Sequence, residues 1–253
     1  MEKISRFFAF GCSYTNWTHP TWADFIGINF EEYYNYGKPG ACNTYIANSF
    51  IEANAEYQFN NETDTIFIAM SGFGRFSYMA KQHKTELDER LYGWETNGDT
   101  LFTTTEGHPE ISKLIGNNIF NYNWAAYNSW ISFITIKTIL TEKKINHKII
   151  MSINNKHYIT DFDLLNISDD MVKKIKYLYS KLDIDESIDE FLKANFPTQP
   201  GGIHPTKEIY YEYILKYFPE YITEKSKSLL SVDIYDDKTI RRLTNRKHKY
   251  LTS

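Results

Sequence analysis

Phe7-Phe8-Ala9-Phe10-Gly11-Cys12-Ser13-Tyr14-Thr15 is the stretch on which the fold turns: a wholly apolar run stops at a glycine, and a serine follows two positions later. An apolar run of this length, bounded by a turn residue, predicts a strand buried on both faces. In an open parallel α/β sheet, ligands bind just beyond the carboxyl ends of the strands. Ser13 is therefore expected at the mouth of a site, on a turn tight enough to require Gly11. A nucleophilic hydroxyl would be placed there.

Outward from this run, strands and helices alternate. Residues 5–10 form the first predicted strand, and a helix is expected from about Thr15 through Trp22 to Ile26. A second strand over about 29–35 is less hydrophobic and nearer an edge, and Gly37-Lys38-Pro39-Gly40 reads as a turn. Helical spacing resumes at Tyr45, Ile46, Ser49 and Phe50, and residues 65–70 make the clearest buried strand, ending at Ser71-Gly72. A helix over about 121–143 carries Trp124, Tyr127, Trp130, Ile131, Ile134 and Ile139 at near-helical spacing, read as core packing. Residues 148–153 form the next buried strand, ending at Asn154-Asn155, and 169–194 read as helical and charged. The last helix follows His204-Pro205, with proline at a favoured first position, and runs to about Phe218. This alternation predicts a three-layer α/β/α sandwich around a mostly parallel sheet.

The 253 residues are 42% hydrophobic and 24% charged, enough for one large domain, placed at 1–224, with a polar, basic tail over 225–253. Residues 75–115 lack a clear period and read as an insertion over the carboxyl edge of the sheet, where aromatics such as Phe76, Tyr78, Tyr92 and Trp94 either form a small satellite core or stack on sugar rings. A net charge of −4 argues against nucleic acid or an anionic membrane as the main partner. The two cysteines, Cys12 and Cys42, have no CxxC partner, which argues against a disulfide framework and for a reducing compartment. No secretory h-region and no spanning apolar stretch is visible, so a cytoplasmic protein is expected. No His/Asp/Glu cluster has metal-ligand spacing, and Gly72-Phe73-Gly74 lacks the third glycine of a dinucleotide-binding turn; neither metal nor cofactor is expected.

The strand ends Gly11-Cys12-Ser13, Ser71-Gly72 and Asn154-Asn155 should converge on one edge, joined by the Gly37–Gly40 turn. A hydroxyl nucleophile needs a base for its proton and N–H donors for the developing oxyanion. Among the seven histidines, His19, His108 and His204 precede proline. His204 is the best placed, since it follows Gly201-Gly202 and opens an amphipathic helix.

Together these blocks resemble the SGNH (GDSL-like) hydrolases. Gly11-Cys12-Ser13-Tyr14-Thr15 is similar to the first block, whose serine is the nucleophile. The segment from Asn35 to Asn43 resembles the second, whose oxyanion-binding glycine falls on Gly40. Gly202-Ile203-His204-Pro205-Thr206 resembles the last, which carries the catalytic histidine. The resemblance covers about residues 5–220 and implies a flavodoxin-like sandwich and hydrolysis of an acyl, commonly acetyl, ester on a carbohydrate or other small molecule. It implies Ser13 and His204 as catalytic residues, with the N–H groups of Ser13 and Gly40 as the oxyanion hole. Ser71, Gly72, Arg75 and Asn154 are candidate auxiliary residues. The chain departs from the family at Cys12, where the first block has aspartate. It departs at Phe73, where the family's oxyanion asparagine stands, and at Gly201, where its catalytic aspartate stands. Arg75 is a candidate substitute for that asparagine, and a backbone carbonyl or another acid, such as Asp161 or Asp163, for the catalytic aspartate. An acyltransferase using the same acyl-enzyme, and a binding protein with a relic site, are the alternative readings.

Overall fold

The opening apolar run forms a strand whose residues are all buried after Arg6. In chain order the strands are β1 (Arg6–Gly11), β2 (Glu32–Gly37), β3 (Asp64–Met70), the short β4 (Tyr78–Lys81) and β5 (Asp99–Phe102), and β6 (Asn146–Met151). The computed structural model describes residues 4–73, 75, 78–81, 99–102, 122–154, 168–182, 184, 187–196 and 204–232. Strands β2, β1, β3 and β6 form one parallel sheet in that order, and β4 and β5 pair antiparallel as a separate ribbon inside the 75–115 segment.

Helices α1 (Trp22–Gly27), α2 (Asn43–Tyr57), α3 (Tyr122–Glu142), α4 (Asp169–Ser180), α5 (Ile188–Asn195), α6 (Lys207–Tyr217) and α7 (Glu224–Ser228) complete the described elements with two short 3-10 turns. The alternation of side chains along the strands assigns the helices to layers. Phe8, Phe10, Ile66, Ile68 and Met151 face one core with α2, α3 and α4. Phe7, Ala9, Phe67 and Ile150 face the other with α1, α5 and α6. The result is a three-layer α/β fold.

Much of the aromatic content lies in these two cores. Parallel register sets Phe8 beside Tyr34 and Phe10 beside Tyr36, and the ring pairs stack at 4.7 and 4.9 Å. Truncating a fully buried phenylalanine of this kind typically costs about 3–5 kcal/mol. At the opposite end of the sheet, Arg6 Nε and Nη2 donate to both oxygens of Asp64 at 2.7 and 2.8 Å, tying the start of β1 to β3. Among the described residues no helix is long and apolar enough to cross a membrane.

Several boundaries differ from the sequence reading, each for a local reason. The helix expected from Thr15 begins only at Trp22, because the backbone after Cys12 closes into a turn and Pro20 interrupts the approach. Asn29 donates to the carbonyls of Phe25 and Ile26, so 28–31 finish α1 and the edge strand starts at Glu32. The single helix expected over 169–194 is two, since Ser187 and Glu190 form a capping box that starts α5. In α3 the buried line is Ala126, Trp130, Phe133, Ile136 and Leu140, while Trp124 and Ile131 are exposed. Pro205 precedes the N-cap Thr206 rather than occupying the first helical position. Residues 225–232, assigned by composition to the tail, pack on the domain: Leu229 is buried, and Ser226 Oγ donates to the Phe25 carbonyl at 2.8 Å. Tyr92, Trp94, His108, Asp161, Asp163 and Gly201 lie outside the described residues.

The chain leaves β1 to form β2 on one side, then crosses to β3 on the other. The topological switch point therefore lies between the carboxyl ends of β1 and β3. Ser13 and Ser71 follow those two ends. Gly11 makes the exit from β1 possible: a Cβ there would lie 1.9 Å from Thr15 Oγ1 and 3.2 Å from the Ala69 carbonyl oxygen. Gly11→Ala is expected to destabilise the protein by about 1–3 kcal/mol in urea unfolding, in the range of overpacked cores. Adding Thr15→Ala should recover part of that loss, a non-additive pair whose members share one contact.

Candidate active site

The turn after β1 is closed by the N–H groups of Thr15 and Asn16, both donating to the Cys12 carbonyl at 2.9 and 3.3 Å. Ser13 lies inside this turn, 4% exposed. Three bonds lock the turn to the end of β2. Lys38 N–H donates to the Gly11 carbonyl at 3.0 Å, Asn16 Nδ2 to the Gly37 carbonyl at 3.0 Å, and Asn35 Nδ2 to the Thr15 carbonyl at 2.9 Å. Gly37 must also lack a side chain, since a Cβ there would lie 2.7 Å from Asn16 Cβ.

Beyond Gly37 the chain makes a second turn, Lys38-Pro39-Gly40-Ala41, with Ala41 N–H donating to the Lys38 carbonyl at 3.0 Å. Proline in the second place and a glycine with φ of 75° in the third are the residues a type II turn demands. Neither the Ser13 nor the Gly40 N–H donates to a backbone carbonyl among the described residues. Both residues are buried, and their N–H groups have no backbone acceptor among the described residues, which leaves them available as oxyanion donors.

The end of β3 is held by a residue that the sequence reading quoted but did not single out. Asn43 Nδ2 donates to the Ser71 carbonyl at 3.0 Å, and Ser71 N–H donates to Asn43 Oδ1 at 2.7 Å. The same Nδ2 reaches Ser129 Oγ at 3.1 Å, joining α2, β3 and α3. Its position just after Cys42, the N-cap of α2, was the available signal. Phe73, at the family's asparagine position, is 1% exposed and packs edge-on against Trp130 at 4.8 Å. It belongs to the core. Arg75 Nη1 donates to Ser71 Oγ at 2.9 Å. Gly72 has no steric need for glycine, since its nearest approach to a built Cβ is Ile153 Cδ1 at 3.5 Å. Asn154 Nδ2 donates to Glu190 Oε1 at 3.0 Å, tying the end of β6 to the start of α5.

His204 lies just before α6, its ring stacked on Trp17 at 3.8 Å and 17° and tilted against Tyr14 at 5.5 Å. Tyr14 thus bridges Ser13, its chain neighbour, and His204. No hydrogen bond joins Ser13 to His204 among the described residues. His19 Nε2 lies 3.0 Å from the Pro205 carbonyl oxygen; that oxygen only accepts, so Nε2 carries the proton, and the first loop is tied to the His204 loop. Burial, then the neighbouring His19 and Arg75, push the His204 pKa down to about 4. His19 is lowered in the same direction, chiefly by burial. Burial, His19 and Arg75 all act in the direction of the neutral imidazole. Trp17, the main partner of the ring, carried no signal in the sequence beyond its nearness to Ser13.

No family model matches the chain, and no curated protein is similar to it at a significant level.

The depressed His204 and His19 values make stability pH-dependent with a definite sign. The unfolded histidines take up protons below about 6.5, while folded His204 resists protonation down to about 4. The unfolded state thus binds more protons within that window, and stability should fall as pH is lowered from 6.5 towards 4. His204→Gln should flatten this limb in urea midpoints measured across pH 4–7. Separately, Asn43→Ala should cost about 1–3 kcal/mol in the same assay, because it strands buried Ser71 backbone groups.

Proposed function

We propose that the protein is an acyl-ester hydrolase of the SGNH type, acting through Ser13. What supports this reading is the buried Ser13 turn that follows β1, with the Gly40 turn after the neighbouring β2 and the His204 ring 5.5 Å from that of Tyr14. The strand order β2-β1-β3-β6 is compatible with the flavodoxin-like sheet that the resemblance implies.

In the reaction, Ser13 Oγ bonds to the ester carbonyl carbon while its proton passes to a ring nitrogen of His204. The carbonyl oxygen takes up negative charge facing the N–H groups of Ser13 and Gly40. The C–O bond to the alcohol then breaks, and the alcohol leaves with the proton from His204. Water repeats the sequence on the acyl-Ser13 intermediate and releases the acid; a substrate hydroxyl in place of water makes the same intermediate an acyltransferase. A neutral His204 is ready to accept the proton. Gly201 stands where the resemblance puts the aspartate that stabilises the imidazolium during that transfer.

Hydrolysis of p-nitrophenyl acetate tests this directly. Ser13→Ala should reduce turnover to the buffer rate, and His204→Gln should lower kcat/KM by about 10²–10⁴-fold, the usual share of general acid–base catalysis. In the wild type the acid limb of kcat/KM should fall near pH 4 rather than near 6.5. Turnover unchanged in Ser13→Ala would leave a binding protein on this fold as the remaining reading.

A further inference from the structure

The region around Ser13 contains a charge that the hydrolytic scheme does not use. Arg75 is half-buried, and its described contact is a single bond from Nη1 to Ser71 Oγ. A guanidinium offers five N–H donors in a fixed fork, so most of its donor capacity is uncommitted. Among the described residues it forms no ion pair. Three acids among the described residues are engaged elsewhere. Asp189 holds Lys193 at 2.8 Å, and Glu190 accepts from Ser187 and Asn154. Asp24 accepts from Thr21 and from Tyr33. The positive field of Arg75 reaches both rings near Ser13: it adds to burial and His19 in lowering the His204 pKa, and it opposes the burial that raises Tyr14 to about 12. A half-buried cation held at the carboxyl end of β3, with donors uncommitted among the described residues, calls for an anion. Were its role only to hold the oxyanion, it would act equally on every ester.

We infer that Arg75 is an anion-recognition residue, and that the ester bound here carries a negatively charged carboxylate or phosphate near its carbonyl. The inference deepens the hydrolase reading and rests on it for the word ester; the anion subsite itself does not. Arginine suits this role through the forked, charge-assisted bonds it makes to planar carboxylates and to phosphates. Ser71 Oγ, on a residue clamped through its backbone by Asn43, fixes one arm of the fork.

Two measurements test it together. In the first, kcat/KM is compared for p-nitrophenyl hemiglutarate and the neutral p-nitrophenyl valerate in wild type, Arg75→Gln and Arg75→Lys. The wild type should favour the charged ester by about tenfold or more, the yield of one charge-assisted bond. That ratio should fall towards unity in Arg75→Gln and be partly kept in Arg75→Lys. An equal loss on both esters, with the ratio unchanged, would assign Arg75 to the oxyanion and overturn the inference. In the second, calorimetry on Ser13→Ala follows binding of monomethyl glutarate, dimethyl glutarate and inorganic phosphate, with and without Arg75→Gln. Arg75-dependent binding of monomethyl glutarate or phosphate, but not of the diester, supports the subsite, and the tighter anion names its source. Binding of neither anion overturns it. Because calorimetry needs no turnover, Arg75-dependent binding in a protein that hydrolyses nothing retains the subsite and discards the hydrolase. Hydrolysis through Ser13 with no charge preference does the reverse.

Discussion

The candidate site depends on a close fit between backbone and side chain at the carboxyl end of β1. Gly11 leaves room for the Thr15 side chain, and Gly37 on the neighbouring strand leaves room for Asn16. Between these two absent side chains the Cys12–Asn16 turn is seated, and Ser13 is carried on it. The lock from Lys38 N–H to the Gly11 carbonyl then starts the second turn in the right place, so the position of Gly40 follows from that of Gly11. A methyl group at either glycine would push the turn off the sheet, and with it both amides and the hydroxyl.

The electrostatics of the site are set by what surrounds His204. A histidine that an aspartate orients is usually held near or above its ordinary pKa by the nearby charge. Here burial acts with His19 and Arg75, and all three act downward. The ring stacks on Trp17, which fixes its plane. Such a residue is an available but weak base. Arg75 adds the smallest of these three effects, and the same guanidinium is the proposed counter-charge for an anionic ligand.

The sheet was legible because its signal is strong: runs such as residues 65–70 are apolar throughout and stop at small polar residues. The second turn was legible because Pro39 and Gly40 each serve a particular backbone angle. The helix starts were less so. Thr15 belongs to the turn and not to α1 because its neighbours bond back to Cys12, a contact with no periodic signature. In α3, Trp124 and Trp130 look alike in sequence, and only the packing of α3 against α2 and α4 decides that Trp130 is inside. The clamp by Asn43 and the stack on Trp17 are long-range contacts between loops. Spacing along a single chain does not encode them, although both residues lie within a few positions of the quoted blocks.

The central claim is that the Ser13 hydroxyl and the two amides form one reactive centre. A crystal structure of the protein after treatment with a small fluorophosphonate tests that claim most directly. The account predicts a single adduct on Ser13 Oγ, with the phosphonyl oxygen about 3 Å from both the Ser13 and Gly40 N–H groups. An unmodified Ser13, an adduct on another residue, or a phosphonyl oxygen turned away from those amides would contradict it.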